Sequence, residues 1–248
     1  MTDEPLRVLE IRHAESEPPG SYGPVLAELA AVTTLRIWRE PVPDDLSGFD
    51  AIVTLGGAMG VEDAPRIPWI TDEIGLLRRA VDRDLPVWGV CLGAQMLAAA
   101  LGAEVRRSDT PEIGVHTVTL NTTAADDPVW GTSPDAPDAV PREFGVVQWH
   151  FDTFALPDEA TLLASSPRCP NQLYRHRYSY GVQFHLEAGG PLVDDWLGAP
   201  ESYALVRDTI GAQAADRFAS EAAAAEEVTV PLARTVMERW LRGLAERR

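Results

Sequence analysis

The sequence has 248 residues, 45% of them hydrophobic and 24% charged, a balance that supports a sizeable core. Its net charge is −17, from 38 acidic residues against 21 arginines with no lysine, which argues against partners such as nucleic acid or an anionic membrane surface. No run approaches the ~18 apolar residues that span a bilayer. The N-terminal MTDEPLRVLE lacks the apolar core of a signal peptide, and two cysteines, Cys91 and Cys169, are too few for a disulfide framework. A soluble, cytoplasmic protein is expected, with residues 1–248 forming one domain.

Taken in order, Arg7–Ile11 reads as a first strand, followed by a Pro/Gly-rich loop over Ala14–Pro24 and a short helical run, Val25–Val32. Thr33–Trp38 alternates and predicts a strand, and Asp50–Leu55 is apolar enough for a strand buried on both faces. A Gly-rich loop, Gly56–Gly60, then leads to a helix over Ile70–Arg83, whose apolar residues recur at helical spacing, and to a strand at Pro86–Val90. Strand and helix alternating in this way predict a mostly parallel central sheet with helices on both faces, an α/β three-layer architecture. Beyond Leu101, six short β-leaning runs follow: Ala103–Arg107, Gly114–Leu120, Gly145–Trp149, Thr161–Ala164, Gln172–Arg177 and Tyr180–Phe184. They predict an antiparallel extension of the sheet, interrupted by a Pro/Asp-rich loop at Ala124–Pro141. From residue 190 to 248 the chain is helical, with one helix over Tyr203–Glu227 and another opening near Pro231 and running to Leu244.

Three stretches carry residues suited to chemistry. Cys91 lies between a β-leaning run and the helix former Gln95–Leu101, with Gly89 before it and Gly93 after it. Flanking glycines let a strand and a helix meet at a sharp turn, and a helix N-terminus favours a thiolate. The same residue could equally be a small buried hydrophobe. In Gln183-Phe184-His185-Leu186-Glu187, two residues apart on a strand share a face, so His185 and Glu187 would project together. An exposed polar face with a surface ion pair fits that pattern too. The Gly56–Gly60 loop could offer backbone N–H groups to an oxyanion, cradle a phosphate, or merely turn the chain. No phosphate-loop motif follows it. His13, His116 and His176 lack metal-ligand spacing, so no metal or other cofactor is expected. Trp69, Trp88, Trp130, Trp196 and Trp240 read as packing aromatics and Cys169 as a structural thiol.

Together, Leu55-Gly56-Gly57-Ala58-Met59-Gly60, Gly89-Val90-Cys91-Leu92-Gly93-Ala94-Gln95, Gln148-Trp149-His150-Phe151-Asp152-Thr153-Phe154 and Gln183-Phe184-His185-Leu186-Glu187 resemble the class I, triad-type glutamine amidotransferases. The resemblance is to stand-alone relatives of the GMP synthase glutaminase domain, and it implies a flavodoxin-like fold. It implies that Cys91 attacks the γ-carbonyl of glutamine or of a γ-glutamyl compound, with His185 as base and then acid and Glu187 orienting it. Backbone N–H groups of Gly57 and Leu92 would hold the oxyanion. Gly56, Gln95 and the backbone near His150 and Phe151 would contact the amino-acid end of the substrate. His150 is a weaker second choice as base. Leu186 stands where many members have proline, and no synthetase domain or phosphate-binding signature follows Gly189. An ammonia-accepting synthetase would therefore be a separate chain, or the enzyme would be a γ-glutamyl peptide or amide hydrolase that needs none.

Overall fold

The computed structural model describes residues 4–131 and 139–247. One nine-stranded sheet organises them. Its parallel half comprises β1 (Leu6–Arg12), β2 (Ala30–Arg36), β3 (Ala51–Thr54), β4 (Val87–Val90) and β9 (Ser179–Val182). Its antiparallel half comprises β5 (Val105–Leu120), β6 (Glu143–Phe154), β7 (Thr161–Ser165) and β8 (Leu173–His176). The strand order is β2-β1-β3-β4-β9-β8-β7-β5-β6, and pairing changes from parallel to antiparallel between β9 and β8. The first five positions follow the doubly-wound flavodoxin order, as expected.

Alternation along the parallel strands decides the layers. Leu6 and Val8 of β1, Ala51 and Val53 of β3, and Trp88 and Val90 of β4 face one side. There they meet α1 (Gly23–Leu29) and the C-terminal half of α6 (Ala212–Ala245). Leu9, Ile11, Ile52 and Val87 face the other side, against α2 (Pro68–Asp82) and α3 (Leu92–Ala100). Each strand is thus buried on both faces, which is why Asp50–Leu55 reads as a nearly continuous apolar run. A third cluster joins Ile113 of β5 and Val147 of β6 to Val193 of α4 (Gly190–Leu197), Val206 of α5 (Pro200–Ile210) and Phe218 of α6.

Several boundaries differ from the sequence expectation. The helical run over Val25–Val32 ends at Leu29, and Ala30–Val32 already pair with Leu6–Val8. The expected runs Ala103–Arg107 and Gly114–Leu120 merge into one strand, β5, which begins at Val105 and whose register against β6 shifts between Arg107 and Glu112. A bulge absorbs the intervening residues without ending the pairing. The Pro/Asp-rich loop Ala124–Pro141 falls partly outside the described residues, while Trp130, at its start, is fully buried. The C-terminal break lies at Gly211, with φ of 86°, and Pro231 sits inside the 34-residue α6. Proline removes one helical hydrogen bond, but the buried stripe Phe218, Ala222, Leu232, Val236, Trp240 and Leu244 holds both halves against the sheet.

The close packing of β3, β4 and α3 sets a stability test. A Cβ at Gly93 would overlap the Thr54 carbonyl oxygen, whereas Gly243, exposed in α6, has open space. Gly93→Ala is expected to destabilise by about 1–3 kcal/mol and to lower the Tm by several degrees. Gly243→Ala is expected to stabilise by about 0.5–1 kcal/mol. Thermal unfolding of both variants checks the pair.

Candidate active site

Cys91 joins β4 to α3 with φ 48° and ψ −104°, a conformation L-residues rarely adopt. Such backbone costs about 1–3 kcal/mol and persists only where the surroundings enforce it. Here its N–H donates to the Val182 carbonyl at 2.7 Å and its carbonyl accepts from Gln95 N–H at 3.0 Å. A Cβ at Gly89 would lie 2.7 Å from the Gly93 carbonyl carbon, so strand and helix touch through their backbones. The glycine bracket seen in the sequence is therefore a requirement of close approach. Because α3 starts at Leu92, that residue's N–H is among the helix's first four, which have no intrahelical acceptor, and the positive end of the helix lies at the sulfur.

His185 and Glu187 meet by a different route from the one the period of a strand suggests. β9 ends at Val182, and His185 lies beyond it in an isolated bridge, its N–H donating to Val147 O at 2.9 Å. The chain turns there, yet His185 Nδ1 is 2.7 Å from Glu187 Oε1, and Cys91 lies close enough to the ring to favour its charged form. Both side chains are buried. Desolvation disfavours a charged imidazole, but the Glu187 carboxylate and the Cys91 sulfur outweigh it and hold His185 well above the ordinary histidine range. Gln183 Nε2, 3.6 Å from Cys91 Sγ, approaches the sulfur from another side.

Cys91 and His185 open onto a cavity of about 400 Å³ at the carboxyl ends of β3 and β4. Gly57, Gln95, His150 and Phe151 line it. Gly57 packs on Leu92, where a Cβ would come within 2.9 Å of Leu92 Cδ2. Gly56 does not line the cavity. It lies under His185, with a Cβ position 3.0 Å from His185 Cε1, and its carbonyl is held at 2.8 Å by His13 Nδ1. His13 Nε2 in turn bonds Glu73 at 2.8 Å, and Thr54 donates to the same carboxylate at 2.6 Å. The Gly-rich loop is thus pinned from beneath by a buried ion pair. Gln95 Nε2 contacts Gln183 Oε1 at 3.1 Å and the Asp152 carbonyl at 3.4 Å.

The His150 ring meets other groups. Nδ1 lies 3.0 Å from the Asp152 carbonyl and Nε2 lies 3.4 Å from Glu112 Oε2. Desolvation opposes the Glu112 charge, but the nearby His150 ring and the hydrogen bonds from Ser166 prevail and lower its pKa. Among the described residues, Glu112, His150 and Cys169 bring three metal-ligand atoms within 4.8 Å of one another. Glu112 already accepts from Ser166 and Gln172 and Cys169 meets Thr153, and burial raises the Cys169 thiol pKa, away from the thiolate that metals need. The network braces the back of the cavity.

Sequence reasoning missed two parts of the wall. Trp196, expected to be a packing residue only, lines the cavity with its ring 5.1 Å from that of His185, and its indole N–H donates to Ser16 O at 2.8 Å. Glu17 also lines it, and burial, reinforced by Glu187 and opposed by His185, pushes its carboxyl up to about 7. Nothing local marks either residue, because each acquires its role from a long-range contact.

The family model for glutamine amidotransferase class-I matches residues 25–193. The glutamine amidotransferase-like protein YfeJ of Salmonella typhimurium is 31% identical over 189 residues, 73% of this chain and 76% of its own. A glutamine-hydrolyzing GMP synthase subunit of Thermoplasma acidophilum is 31% identical over 188 residues, 72% of this chain and 86% of its own. A glutamine amidotransferase structure from Thermotoga maritima superposes with a TM-score of 0.81 at 30% identity, covering 95% of this chain and 98% of that one. With a family match over more than half its length and an elbow cysteine opening onto a cavity at the strand ends, this chain belongs to the class I glutamine amidotransferases.

Proposed function

We propose that the protein hydrolyses the side-chain amide of glutamine, or of a γ-glutamyl compound, through a thioester on Cys91. The observation that carries this reading is the buried pair of His185 and Glu187, hydrogen-bonded at 2.7 Å, with His185 and Cys91 lining the same cavity and close enough to interact. His185 takes the thiol proton as the sulfur bonds to the γ-carbonyl carbon, and the N–H groups of Gly57 and Leu92 hold the resulting oxyanion. One such donor is worth about 3–4 kcal/mol of barrier. The carbon–nitrogen bond then breaks, and His185 gives its proton to the departing nitrogen. Water, deprotonated by His185, opens the thioester and releases glutamate. Glu187 keeps the imidazole oriented throughout. Gln95 and the backbone at His150 and Phe151 take the amino-acid end, with Gly56 serving from below as support for His185.

Ammonia is the product when glutamine is the substrate, and a separate synthetase subunit would be its acceptor. The enzyme works in the cytoplasm as one domain, with α4, α5 and α6 as a C-terminal extension that contributes to the site. Among the described residues no helix is long and apolar enough to cross a membrane. The second reading, a γ-glutamyl hydrolase without a synthetase, is favoured by one observation. A cavity of about 400 Å³ falls in the range of sites for ligands larger than glutamine.

Glutamate release from glutamine and from γ-glutamyl peptides, measured beside Cys91→Ala, tests the reaction. The variant is expected to lose about 10⁴-fold or more in kcat, and a glutamine-analogue diazo-ketone is expected to label Cys91 in the parent. No release from either substrate together with no labelling would overturn the reading. Glu187→Gln provides a pH test. Its carboxylate raises the His185 pKa, so removing it lowers that pKa. The acidic limb of kcat/KM, below which His185 is protonated and cannot take the thiol proton, is expected to move to lower pH while kcat falls by about 10²–10⁴-fold. An unmoved limb would assign it to another group.

A further inference from the structure

The residues lining the cavity fall into two groups. One gathers round Gln95, where Arg107 lies over the Phe151 ring at 4.5 Å and pairs with Asp152 at 3.5 Å. The other gathers round His185. It consists of Glu17, from the loop after β1, and Trp196 from α4, with Asp195, exposed and next to Trp196 in α4, lining the same cavity. Its geometry is rigid. The Trp196 indole N–H is held by Ser16 O, and its ring meets those of His185 and Trp149 edge-on, at 5.1 and 5.7 Å. On the other side of the loop, Ser21 N–H donates to the Glu187 carbonyl at 3.0 Å.

Which part of a substrate meets this second group follows from the direction of proton transfer. This step rests on the reading above, in which His185 hands its proton to the departing nitrogen. The substituent on that nitrogen must then emerge beside His185, against Trp196, Glu17 and Asp195, and away from Gln95. Ammonia would leave this space unfilled. The chemistry of the flank is one-sided as well. It holds two carboxyl groups, the rest of the wall adds Glu62, Asp63 and Asp152, and the cavity's one guanidinium among the described residues, that of Arg107, is engaged with Asp152. Among the described residues none donates a hydrogen bond to the Glu17 carboxyl, although it is half-buried and lines the cavity. A desolvated carboxyl without a donor is suited to receiving one from a ligand. Beside an indole, that donor is best a cation on an aliphatic stem.

We infer that Glu17, Asp195 and Trp196 form a leaving-group subsite for a γ-glutamyl amide whose amine half carries a second, positively charged nitrogen. The cysteine sulfur bonds to the γ-carbonyl carbon, the amide carbon–nitrogen bond breaks, and the diamine departs with the proton from His185. Water then completes hydrolysis to glutamate. The chain's C-terminal helices thus set specificity, since α4 supplies two of the three residues.

Three amides of the glutamate γ-carboxyl, all with four-carbon amines, test this on the full chain. They are made with 1,4-diaminobutane, butylamine and 4-aminobutyrate, so the far end is cationic, neutral or anionic. The subsite predicts that kcat/KM for the cationic amide exceeds that for the neutral one by about tenfold or more, with the anionic amide lowest. In the double variant Glu17→Gln, Asp195→Asn, the cationic-to-neutral ratio is expected to fall towards one. Because the ratio compares two substrates on the same enzyme, a loss of folded protein does not move it. Equal turnover of the cationic and neutral amides, or a ratio untouched in the double variant, would overturn the subsite while leaving glutamine hydrolysis intact. Turnover of glutamine with none of the three amides would do the same. Failure of all four substrates, with Cys91 unlabelled by the diazo-ketone, would instead remove the reading on which the subsite rests.

Discussion

The structure depends on one contact, the backbone-to-backbone approach of β4 and α3 at Cys91. Gly89 lies against Gly93, and Gly93 lies against Thr54 at the end of β3, so one helix N-terminus is clamped between two parallel strands. That clamp drives Cys91 to a positive φ and lifts its side chain out of the sheet at the strand ends. Nearly everything else in the parallel half, from the alternating faces of β1 and β3 to the stripe of α6, keeps this junction from relaxing.

Burial of charge is the second constraint. His13 with Glu73 and His185 with Glu187 are ion pairs set in the interior on either side of the Gly-rich loop. For both histidines desolvation opposes the proton and the neighbouring carboxylate wins, so each pKa is raised. Removing one partner of such a pair leaves a buried charge uncompensated, with a penalty of about 3–5 kcal/mol. The His13 pair is structural in effect, because it holds the Gly56 carbonyl and so fixes where Gly57 faces the cavity. On the proposed mechanism the His185 pair does the chemistry, and the two charges share one polar seam through the core.

Much of this was legible in the amino-acid sequence, and the exceptions have physical causes. The glycine bracket marked the elbow because only glycine permits that backbone contact, and the doubly apolar run of β3 marked a central parallel strand. His185 and Glu187 were paired on an expected strand period, but the strand ends three residues earlier and a turn brings them together. Local alternation cannot see where ladder pairing stops. Gly56 and Gly57 were indistinguishable as neighbours in a loop, and only the fold turns one towards His185 and the other towards the cavity. The joining of two short runs into β5, and the continuation of α6 through Pro231, reflect tertiary packing overriding local breakers. Trp196 and Glu17 were hidden for the same reason, since they are far apart in the chain and meet only when α4 folds over the loop after β1.

The proposed chemistry therefore rests on a sulfur presented by strain, an imidazole held by a buried carboxylate, and a wall contributed by the C-terminal helices. Its central step is covalent, so a covalent measurement tests it most directly. Acid quenching during turnover, followed by proteolysis and mass spectrometry, would trap any enzyme-bound intermediate. A glutamyl group is expected on the peptide carrying Cys91 and none on the peptide carrying Cys169. Turnover that proceeds with no adduct on Cys91, or with the adduct on another residue, would contradict it.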